Sequence, residues 1–447
     1  MTDKNSENLI NLLLENGFCA YLVGGCVRDA IMGRASGDID IASSAKPDEL
    51  EHLLSQHNIK YIETGIKHGT VTAVLDKTPY EITTFRTEGI YKDNRHPENV
   101  AFVEDICLDL SRRDFTVNAI AYNEKDGLVD PFNGLEDINN KTLRAVGDPD
   151  KRFREDALRI MRGLRFASVL GFEIEEKTKS AIFRNKELLK NIAVERIFTE
   201  LKKLLSGSNV ENVLLEYRDI IAVVIPELKA TFDFPQNTKW HLYDVYTHIV
   251  KSVAVSPEKD YIRFTLLLHD ISKPECKTTD KAGQDHFKGH PVAGAEKAAE
   301  ILNRLKVSRD FFNKVTKLVR IHDFHILYDK ANIKHWLREL GAERTFDFID
   351  VKIADLATHN LDYAGKELEL LYSIKELTQQ ILDNKEPYKI SDLQINGNAL
   401  ASLGYKGSQI SKEMDELLGF VIENPASNEY SVLLDKAKTD SKKFSFI

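Results

Sequence analysis

Tyr21–Ala42 reads YLVGGCVRDAIMGRASGDIDIA, and its pattern predicts a short strand, a helix and a second strand. The apolar start is typical of a buried strand, and the helix begins after Gly24 and Gly25. Because side chains alternate along a strand, Asp38 and Asp40 are expected to point to one face of the second strand. Two adjacent carboxylates repel unless a cation lies between them, and carboxylates plus substrate phosphates are the ligands that Mg²⁺ prefers. The stretch therefore predicts a magnesium site.

The turn that precedes this helix is suited to binding an anion. Paired glycines let the backbone approach a phosphate closely, and the helix N-terminus adds positive charge together with Arg28. A magnesium site beside a phosphate-binding turn indicates nucleotidyl transfer. The alternative is an ordinary strand–turn–helix with surface aspartates, because an isolated Asp-x-Asp pattern has little specificity.

A predicted hairpin supplies a third carboxylate. Val71–Leu75 and Tyr80–Phe85 are expected to pair as strands across a turn at residues 77–79. Alternation then places Glu81 on the same face of the sheet as the aspartate pair, which makes it a candidate catalytic residue. The next stretch, RTEGIYKDNRHPENV at Arg86–Val100, is polar and has no periodicity. We expect a functional loop there, because long loops without secondary structure are usually functional; the alternative is a simple linker.

Two arginine-rich segments follow. SRRDFTVNAIAYN, residues Ser111–Asn123, predicts an apolar helix whose start carries Arg112 and Arg113. FREDALRIMRGLRFA, residues Phe153–Ala167, predicts one helix in which a spacing of three keeps polar residues on a common face. The polar residues of this second segment are Asp156, Arg159, Arg162 and Arg165. A carboxylate beside a guanidinium can hydrogen-bond the edge of a base, and the other arginines can hold a triphosphate. The alternative is a salt bridge between the first two on a solvated face.

Histidines and aspartates recur on the apolar helices predicted after residue 207. They are His248, His269, Asp270, His290, His322 and Asp323. Imidazole and carboxylate groups that converge from successive helices form metal sites in helical bundles, and they suit a divalent transition metal. Two His-Asp dipeptides flanked by apolar residues favour a metal site over histidines that only complete a core.

The composition is that of a soluble globular protein, with 42% hydrophobic and 29% charged residues among 447. No apolar run approaches the roughly 20 residues that span a bilayer, so no membrane partner is expected and the cytoplasm is the expected location. The four cysteines are widely spaced, which fits a reducing compartment. The net charge is −9, but residues 141–205 hold 16 Lys or Arg against 10 Asp or Glu. This local surplus predicts contact with a phosphate backbone.

The pattern predicts an α+β chain in four parts. Residues 1–140 mix short strands with helices and form a small β-sheet domain that carries the candidate catalytic groups. Residues 141–206 form a helical segment with the candidate base-binding and RNA-binding residues. Residues 207–385 form an all-α part with a metal-binding region at about 240–330, and residues 386–447 form a separate C-terminal part.

These segments resemble the class II tRNA nucleotidyltransferases, the bacterial CCA-adding enzymes that share a family with bacterial poly(A) polymerases. LVGGCVRD followed by GDID is similar to the family's metal motif, RRDFTVNA to its second motif, DPFNGLEDI to its third and EDALRIMRGLRF to its nucleotide-selecting helix. The resemblance implies a β-rich head, a helical neck, and a body and tail that grip the acceptor arm of tRNA. It also implies roles for individual residues. Asp38 and Asp40 bind Mg²⁺; Gly25 and Arg28 contact the triphosphate, with Arg112 or Arg113 beside them; Asp156 and Arg159 read the Watson–Crick edge of CTP or ATP; Arg162 and Arg165 support the phosphates.

The histidine set resembles the HD superfamily of metal-dependent phosphohydrolases, which some bacterial members carry after the neck. The resemblance to the tRNA nucleotidyltransferases implies addition of CCA to the 3′ end of tRNA from CTP and ATP. Relatives that add only CC tend to lack the loop at Arg86–Val100, so its presence favours addition of the terminal A. Three alternatives stay open: an enzyme that adds only that A, a poly(A) polymerase, and chiefly an HD phosphohydrolase acting on RNA ends.

Overall fold

The computed structural model describes residues 3–35, 37–65, 69–88 and 100–444. They divide into two compact units, Met1–Lys229 with Arg304–Lys306, and Ala230–Asn303 with Val307–Ile447. Strands are concentrated in the first unit and helices dominate the second, which confirms the predicted α+β class. Residues 89–99 of the predicted loop lie outside the described residues; its ends form a short antiparallel ribbon.

The elements of the first unit follow in chain order. They are α1 (Lys4–Glu15), β1 (Ala20–Val23), α2 (Gly25–Ile31), β2 (Asp40–Ser43), α3 (Pro47–Gln56), β3 (Lys60–Gly65), β4 (Thr70–Leu75), β5 (Thr78–Thr84), β6 (Arg86–Glu88), β7 (Val100–Phe102), α4 (Ile106–Ser111), β8 (Ala121–Asn123), β9 (Gly127–Val129), α5 (Gly134–Asn139), β10 (Thr142–Leu143), α6 (Pro149–Glu155), α7 (Leu158–Leu170), β11 (Glu173–Ile174), α8 (Glu176–Asn185), α9 (Val194–Leu205), α10 (Val210–Glu216) and α11 (Arg218–Val224).

A seven-stranded sheet with the order β3-β4-β5-β2-β1-β8-β9 forms the core of the first unit. Its strands pair antiparallel except β2 and β5, which run parallel. The predicted hairpin is confirmed, but its turn lies at Asp76 and Lys77, which have φ of 50° and 67°. A two-residue turn with positive φ matches the right-handed twist of the strands that it joins.

Two predictions about local structure are wrong. Asp38 precedes β2, which begins only at Asp40. Ser111–Asn123 is not a helix: α4 ends at Ser111, a single 3₁₀ turn covers Thr116–Asn118, and β8 follows. Tertiary pairing overrides the apolar pattern here, because β8 pairs with β1 and completes the sheet.

The arginine-rich helix is interrupted. Its residues form two helices, α6 and α7, which are separated at Asp156, where φ is −135° and ψ is 103°. The Asp156 side chain accepts a hydrogen bond from the backbone N–H of Leu158 at 3.0 Å. Aspartate competes for backbone donors in this way, which favours a helix boundary over a helix interior.

From residue 245 the chain is almost wholly helical. The elements are α12 (Val245–Val255), α13 (Asp260–Leu268), α14 (Lys273–Cys276), β12 (Thr278–Thr279), β13 (Asp285–His286), α15 (His290–Arg304), α16 (Arg309–Ile321), α17 (Lys330–Leu340), α18 (Ala342–Leu356), α19 (Leu361–Asp383), α20 (Gly397–Ser402), α21 (Ser408–Glu423) and α22 (Tyr430–Phe444). None of the helices in the described ranges has the length and apolarity needed to cross a bilayer.

Candidate functional site

Carboxylates of two neighbouring strands meet on the sheet of the first unit. Asp40 is the register partner of Glu81 across the parallel pair β2–β5, so both side chains point to the same face. Asp38, two residues earlier, is exposed at the strand entrance. Partial burial raises the pKa of Asp40, and the charge of Glu81 raises it further, whereas Arg113 opposes the rise. These carboxylates repel one another, and a hard divalent cation that binds their oxygen atoms would relieve the repulsion.

The glycine turn packs directly against an arginine. Gly24 has a φ of 76°, and a Cβ atom built on it would lie 2.8 Å from Nη1 of Arg113. Only glycine combines this conformation with so close an approach. The turn and the Arg113 guanidinium therefore face the same space near the carboxylates, and of the two candidate arginines Arg113 is the one whose charge acts on Asp40.

Asp109 anchors both arginines of the second motif. Arg112 pairs with its Oδ1 at 2.8 Å and Arg113 with its Oδ2 at 3.3 Å. Asp109 is 1% exposed. Although burial opposes it, the charges of the two arginines lower the pKa of Asp109. A buried carboxylate thus fixes two guanidinium groups near the Asp40–Glu81 face of the sheet.

Arg28 is buried and held from three sides. Its Nη1 donates to Oδ1 of Asn118 at 2.5 Å, and its Nη2 pairs with Asp29 at 2.8 Å. Its guanidinium carbon lies 5.2 Å from the centre of the Phe166 ring. Arg165 approaches the same ring at 4.1 Å, so one aromatic side chain of α7 joins two candidate phosphate ligands.

Each of three α7 arginines has its own carboxylate. Arg162 pairs with Asp114 at 2.6 Å and Arg165 with Glu200 at 3.3 Å. Burial opposes it, but the Arg162 charge holds the pKa of Asp114 well below its usual range. Arg159 pairs with Glu155 at 3.0 Å. The cations of this helix are therefore already balanced by protein anions.

Asp156 and Arg159 are not ion-paired with each other. Asp156 contacts Arg196 on α9 at 3.3 Å, and Arg159 donates to the backbone carbonyl of Arg112 at 2.9 Å. The alternative interpretation, an i,i+3 salt bridge, is thus absent between these two described residues, because the break at Asp156 takes it off the face of α7. Both side chains stay at the junction between the neck helices and the second motif.

In the second unit, histidines converge on one buried aspartate. Asp270 is 1% exposed, and its Oδ2 lies 3.3 Å from Nε2 of His248 and 3.2 Å from Nε2 of His269. Its Oδ1 lies 3.2 Å from His290 and 3.8 Å from His322. Two groups of possible metal ligands therefore share Asp270.

Hydrogen bonds orient the rings so that their Nε2 atoms face this centre. The Nδ1 atoms of His269, His290 and His322 lie 2.7, 2.8 and 2.7 Å from the carbonyl oxygen three residues earlier. Each Nδ1 therefore donates, so Nε2 is the ring atom that faces Asp270 and the other imidazoles. Nε2 atoms approach one another at 3.1 Å between His290 and His322. Nζ of Lys273 also lies 2.6 Å from Oδ2 of Asp270. Nitrogen and carboxylate ligands grouped in this way suit a transition metal.

The electrostatics of the centre favour positive charge beside the two carboxylates. Burial lowers the pKa of His269, but the carboxylates of Asp270 and Asp355 outweigh it and raise the value to about 10. Burial and the neighbouring imidazoles lower the pKa of His322 to about 3. The carboxylate side of the centre thus attracts positive charge, while the opposite imidazole stays neutral.

Asp323 does not join the cluster. Its side chain is exposed, and the grouped ligands within the described ranges do not include it. Asp355 on α18 is also outside these groups, but it contacts two of their histidines: its Oδ1 lies 2.9 Å from Nε2 of His248 and 3.6 Å from Nε2 of His269. It is therefore a candidate second acid of the centre. Sequence reasoning missed Asp355, although Asp355 and His359 are separated by four residues and meet at 3.3 Å. An acid and a histidine at helical spacing were the available signal.

Family models match three parts of the chain. The "Poly A polymerase head domain" matches residues 20–144, the "Probable RNA and SrmB- binding site of polymerase A" residues 171–232, and the "HD domain" residues 241–358. A CCA-adding enzyme of Enterococcus faecalis is 33% identical over 98% of this chain and 97% of its own length. The chain belongs to the CCA-adding enzyme family of tRNA nucleotidyltransferases.

Other relatives agree. A CCA-adding enzyme of Ligilactobacillus salivarius is 43% identical over 56% of this chain and 63% of its own length. The crystal structure of the Bacillus stearothermophilus CCA-adding enzyme in complex with CTP has a TM-score of 0.69 and 28% identity, and covers 99% of this chain and 100% of that one. A Thermotoga maritima CCA-adding enzyme complexed with tRNA has a TM-score of 0.59 at 19% identity over 98% of this chain and 96% of that one, which supports the fold alone.

The family membership confirms the predicted enzyme class and the presence of an HD domain. The division of the chain into head, neck, body and tail stays a prediction, as do the roles of individual residues. Sequence reasoning also missed the anionic partners Glu155 and Glu200, because a sequence alone does not say which acid an arginine contacts.

Proposed function

We propose that the first unit adds C, C and A in turn to the 3′ end of tRNA, using CTP and ATP and no nucleic-acid template. The observation that carries this proposal is the register pairing of Asp40 with Glu81, beside the glycine turn and Arg113. Asp38 and Asp40 would hold Mg²⁺, with Glu81 as a third carboxylate. When bound, the divalent cation supplies charge that favours ionisation of the 3′-hydroxyl and neutralises the departing pyrophosphate.

The protein side chains bind and orient the nucleotide. Gly25 begins α2 and offers its backbone to the triphosphate, while Arg28 and Arg113 neutralise phosphate oxygens. Arg162 and Arg165 add charge from α7. Asp156 and Arg159 would read the base edge, which requires them to exchange their present partners Arg196 and Glu155 for hydrogen bonds to CTP or ATP.

Incorporation of labelled CTP and ATP into four tRNA transcripts tests the proposal. The transcripts end at the discriminator base, C, CC or CCA. Extension of the first three to a common CCA end, with the fourth unchanged, is the expected result. Extension of only the CC transcript, and only with ATP, would identify an A-adding enzyme, and long runs of A would identify a poly(A) polymerase.

A second activity is favoured by the histidine cluster. We propose that the second unit is a metal-dependent phosphohydrolase that acts on phosphate esters at RNA ends. The inward-facing Nε2 atoms around Asp270 support this, because they form a ligand set for a divalent transition metal. Such an ion supplies an activated water for attack on phosphorus.

Paired variants separate the two activities. Asp40→Ala is expected to abolish nucleotide incorporation and to leave both tRNA binding and phosphate-ester hydrolysis intact. Asp270→Ala is expected to abolish phosphate-ester hydrolysis and to leave nucleotide incorporation and tRNA binding intact. Normal incorporation by Asp40→Ala would contradict the first proposal, and normal hydrolysis by Asp270→Ala would contradict the second.

A further inference from the structure

A cavity of about 800 Å³ opens onto the histidine centre of the second unit. Its lining includes Asp270, His290, His322 and Asp355 from the centre, and Trp240 and Phe287 from the surrounding loops. The volume lies within the roughly 300–1,000 Å³ of small-ligand sites. Metal ligands and aromatic side chains thus face one space.

Trp240 is an exposed side chain on a fixed backbone. It is 37% exposed. Its carbonyl oxygen accepts a hydrogen bond from the backbone N–H of Asn360 at 2.7 Å, and its ring meets the Tyr363 ring edge-on, with centroids 6.0 Å apart. The residue that follows it, His241, has its ring 5.4 Å from that of His248. Trp240 and His241 both line the cavity, so the indole and the metal-ligand cluster border the same space.

Lysines lie beside the aromatic rings, although Lys239 is not among the residues that line the cavity and Nζ of Lys273 is already paired with Asp270 at 2.6 Å. Nζ of Lys239 lies 5.4 Å from the Trp240 ring centre and 5.2 Å from that of Tyr363. Nζ of Lys273 lies 5.5 Å from the Phe287 ring centre, and Lys288 lines the cavity with an exposed side chain. A ligand that joins a flat π-system to an anionic phosphate complements these groups. A nucleotide has both parts.

We propose that Trp240 is a stacking platform for the nucleobase of a ribonucleotide phosphate ester whose phosphate lies at the histidine centre. The inference rests on the proposed phosphohydrolase function and adds the residue that binds the base of its substrate. Stacking on an aromatic side chain tolerates any base, so the platform selects for the presence of a base and not for its identity. The base could belong to a free mononucleotide or to the last residue of an RNA.

Tryptophan fluorescence tests the platform without catalysis. The chain has two tryptophans, so Trp336→Phe leaves Trp240 as the only tryptophan whose fluorescence is measured. The full-length protein is titrated with cytidine 2′,3′-cyclic phosphate, with the base-free methyl riboside 2′,3′-cyclic phosphate, and with an oligoribonucleotide ending in a 2′,3′-cyclic phosphate. We expect quenching by the first and third compounds only. Equal quenching by the base-free compound, or none by any, would overturn the proposal.

Kinetics with the metal-loaded protein give a second readout. Trp240→Ala should raise the KM for the cytidine ester by about 5- to 150-fold, the range that base stacking supplies, and leave the base-free ester unaffected. Trp240→Phe should restore most of the loss. Tyr430→Ala is the matched control, because Tyr430 is 53% exposed but does not line the cavity. An unchanged KM in Trp240→Ala would overturn the proposal.

The outcomes separate this inference from the function on which it rests. Base-dependent quenching without hydrolysis of any ester would support the stacking role of Trp240 and contradict the phosphohydrolase function. Hydrolysis of both cyclic phosphates with equal efficiency would keep the phosphohydrolase and reject the platform. Tighter binding of the oligoribonucleotide than of the mononucleotide identifies an RNA end as the source of the base, and equal binding identifies a free nucleotide.

Discussion

Gly24 shows how one missing Cβ atom positions a catalytic group. Its φ of 76° and ψ of −130° form a conformation that residues with a side chain rarely adopt. Replacement by alanine therefore adds backbone strain of about 1–3 kcal/mol and places a Cβ atom 2.8 Å from Nη1 of Arg113, which must move. We expect Gly24→Ala to reduce nucleotide incorporation by about 10- to 100-fold. The measurement is kcat/KM for CTP with a tRNA transcript ending at the discriminator base.

Gly33 provides the matched control. It also has a positive φ, 69°, but no atom of the described residues lies within 4 Å of its Cβ position. Gly33→Ala should therefore add backbone strain without a close contact and leave incorporation nearly unchanged. If both variants lose activity equally, the approach to Arg113 does not explain the effect.

Asp109 should make the stability of the first unit pH-dependent. Asp109→Asn breaks the ion pairs to Arg112 and Arg113, with an expected loss of about 2–4 kcal/mol at pH 7. Its folded-state pKa lies below 3.8, so the stabilisation is complete above that value and is lost as the pH falls through the folded-state pKa. Urea unfolding between pH 7 and pH 2 should show the two proteins converging in acid. A gap that stays constant would contradict this assignment.

Among the secondary-structure elements, the break between α6 and α7 serves two purposes. The Asp156 carboxylate caps the start of α7 and is also the proposed base-reading group. Asp156→Ala removes both roles, whereas Asp156→Asn keeps a capping oxygen. We expect only alanine to lower stability, by about 1 kcal/mol, and both variants to lose discrimination between CTP and ATP. Competition between the two nucleotides and thermal unfolding measure these effects separately.

The elements also show what the sequence could predict. Alternation along β5 was enough to place Glu81 beside Asp40, because Glu81 is an exposed residue between the buried Tyr80 and Ile82. The helix expected at Ser111–Asn123 failed because pairing of β8 with β1 is a long-range interaction that local pattern does not contain. Asp355 was missed for a similar reason: it is a ligand candidate only once α18 packs against α12. Local periodicity was therefore sufficient to predict that Glu81 lies beside Asp40, whereas residues that meet only through tertiary contacts could not be predicted.

For the whole molecule, two compact units imply that ligands can stabilise one unit without the other. A transition metal such as Mn²⁺ or Ni²⁺ at 100 times its Kd should stabilise the second unit by about 2.7 kcal/mol. Hydrogen exchange in α13, α16 and α18 should slow accordingly, and a chelator should reverse the change. Asp355→Asn should weaken this response, while Asp323→Asn, at an exposed position, should leave it as in the wild type. A metal response that is weakened by Asp323→Asn and unchanged by Asp355→Asn would exclude Asp355 as the second acid.

The carboxylates that neutralise Arg159, Arg162 and Arg165 affect how the enzyme responds to ionic strength. A bare cationic surface gathers mobile anions, and their release on binding makes affinity fall steeply with salt. Here the compensating anions are carboxylate side chains of the protein itself. A nucleotide that binds these arginines therefore displaces a carboxylate and releases few counterions to the solvent. Nucleotide affinity should consequently change little with salt, and inorganic polyanions should compete poorly for this helix.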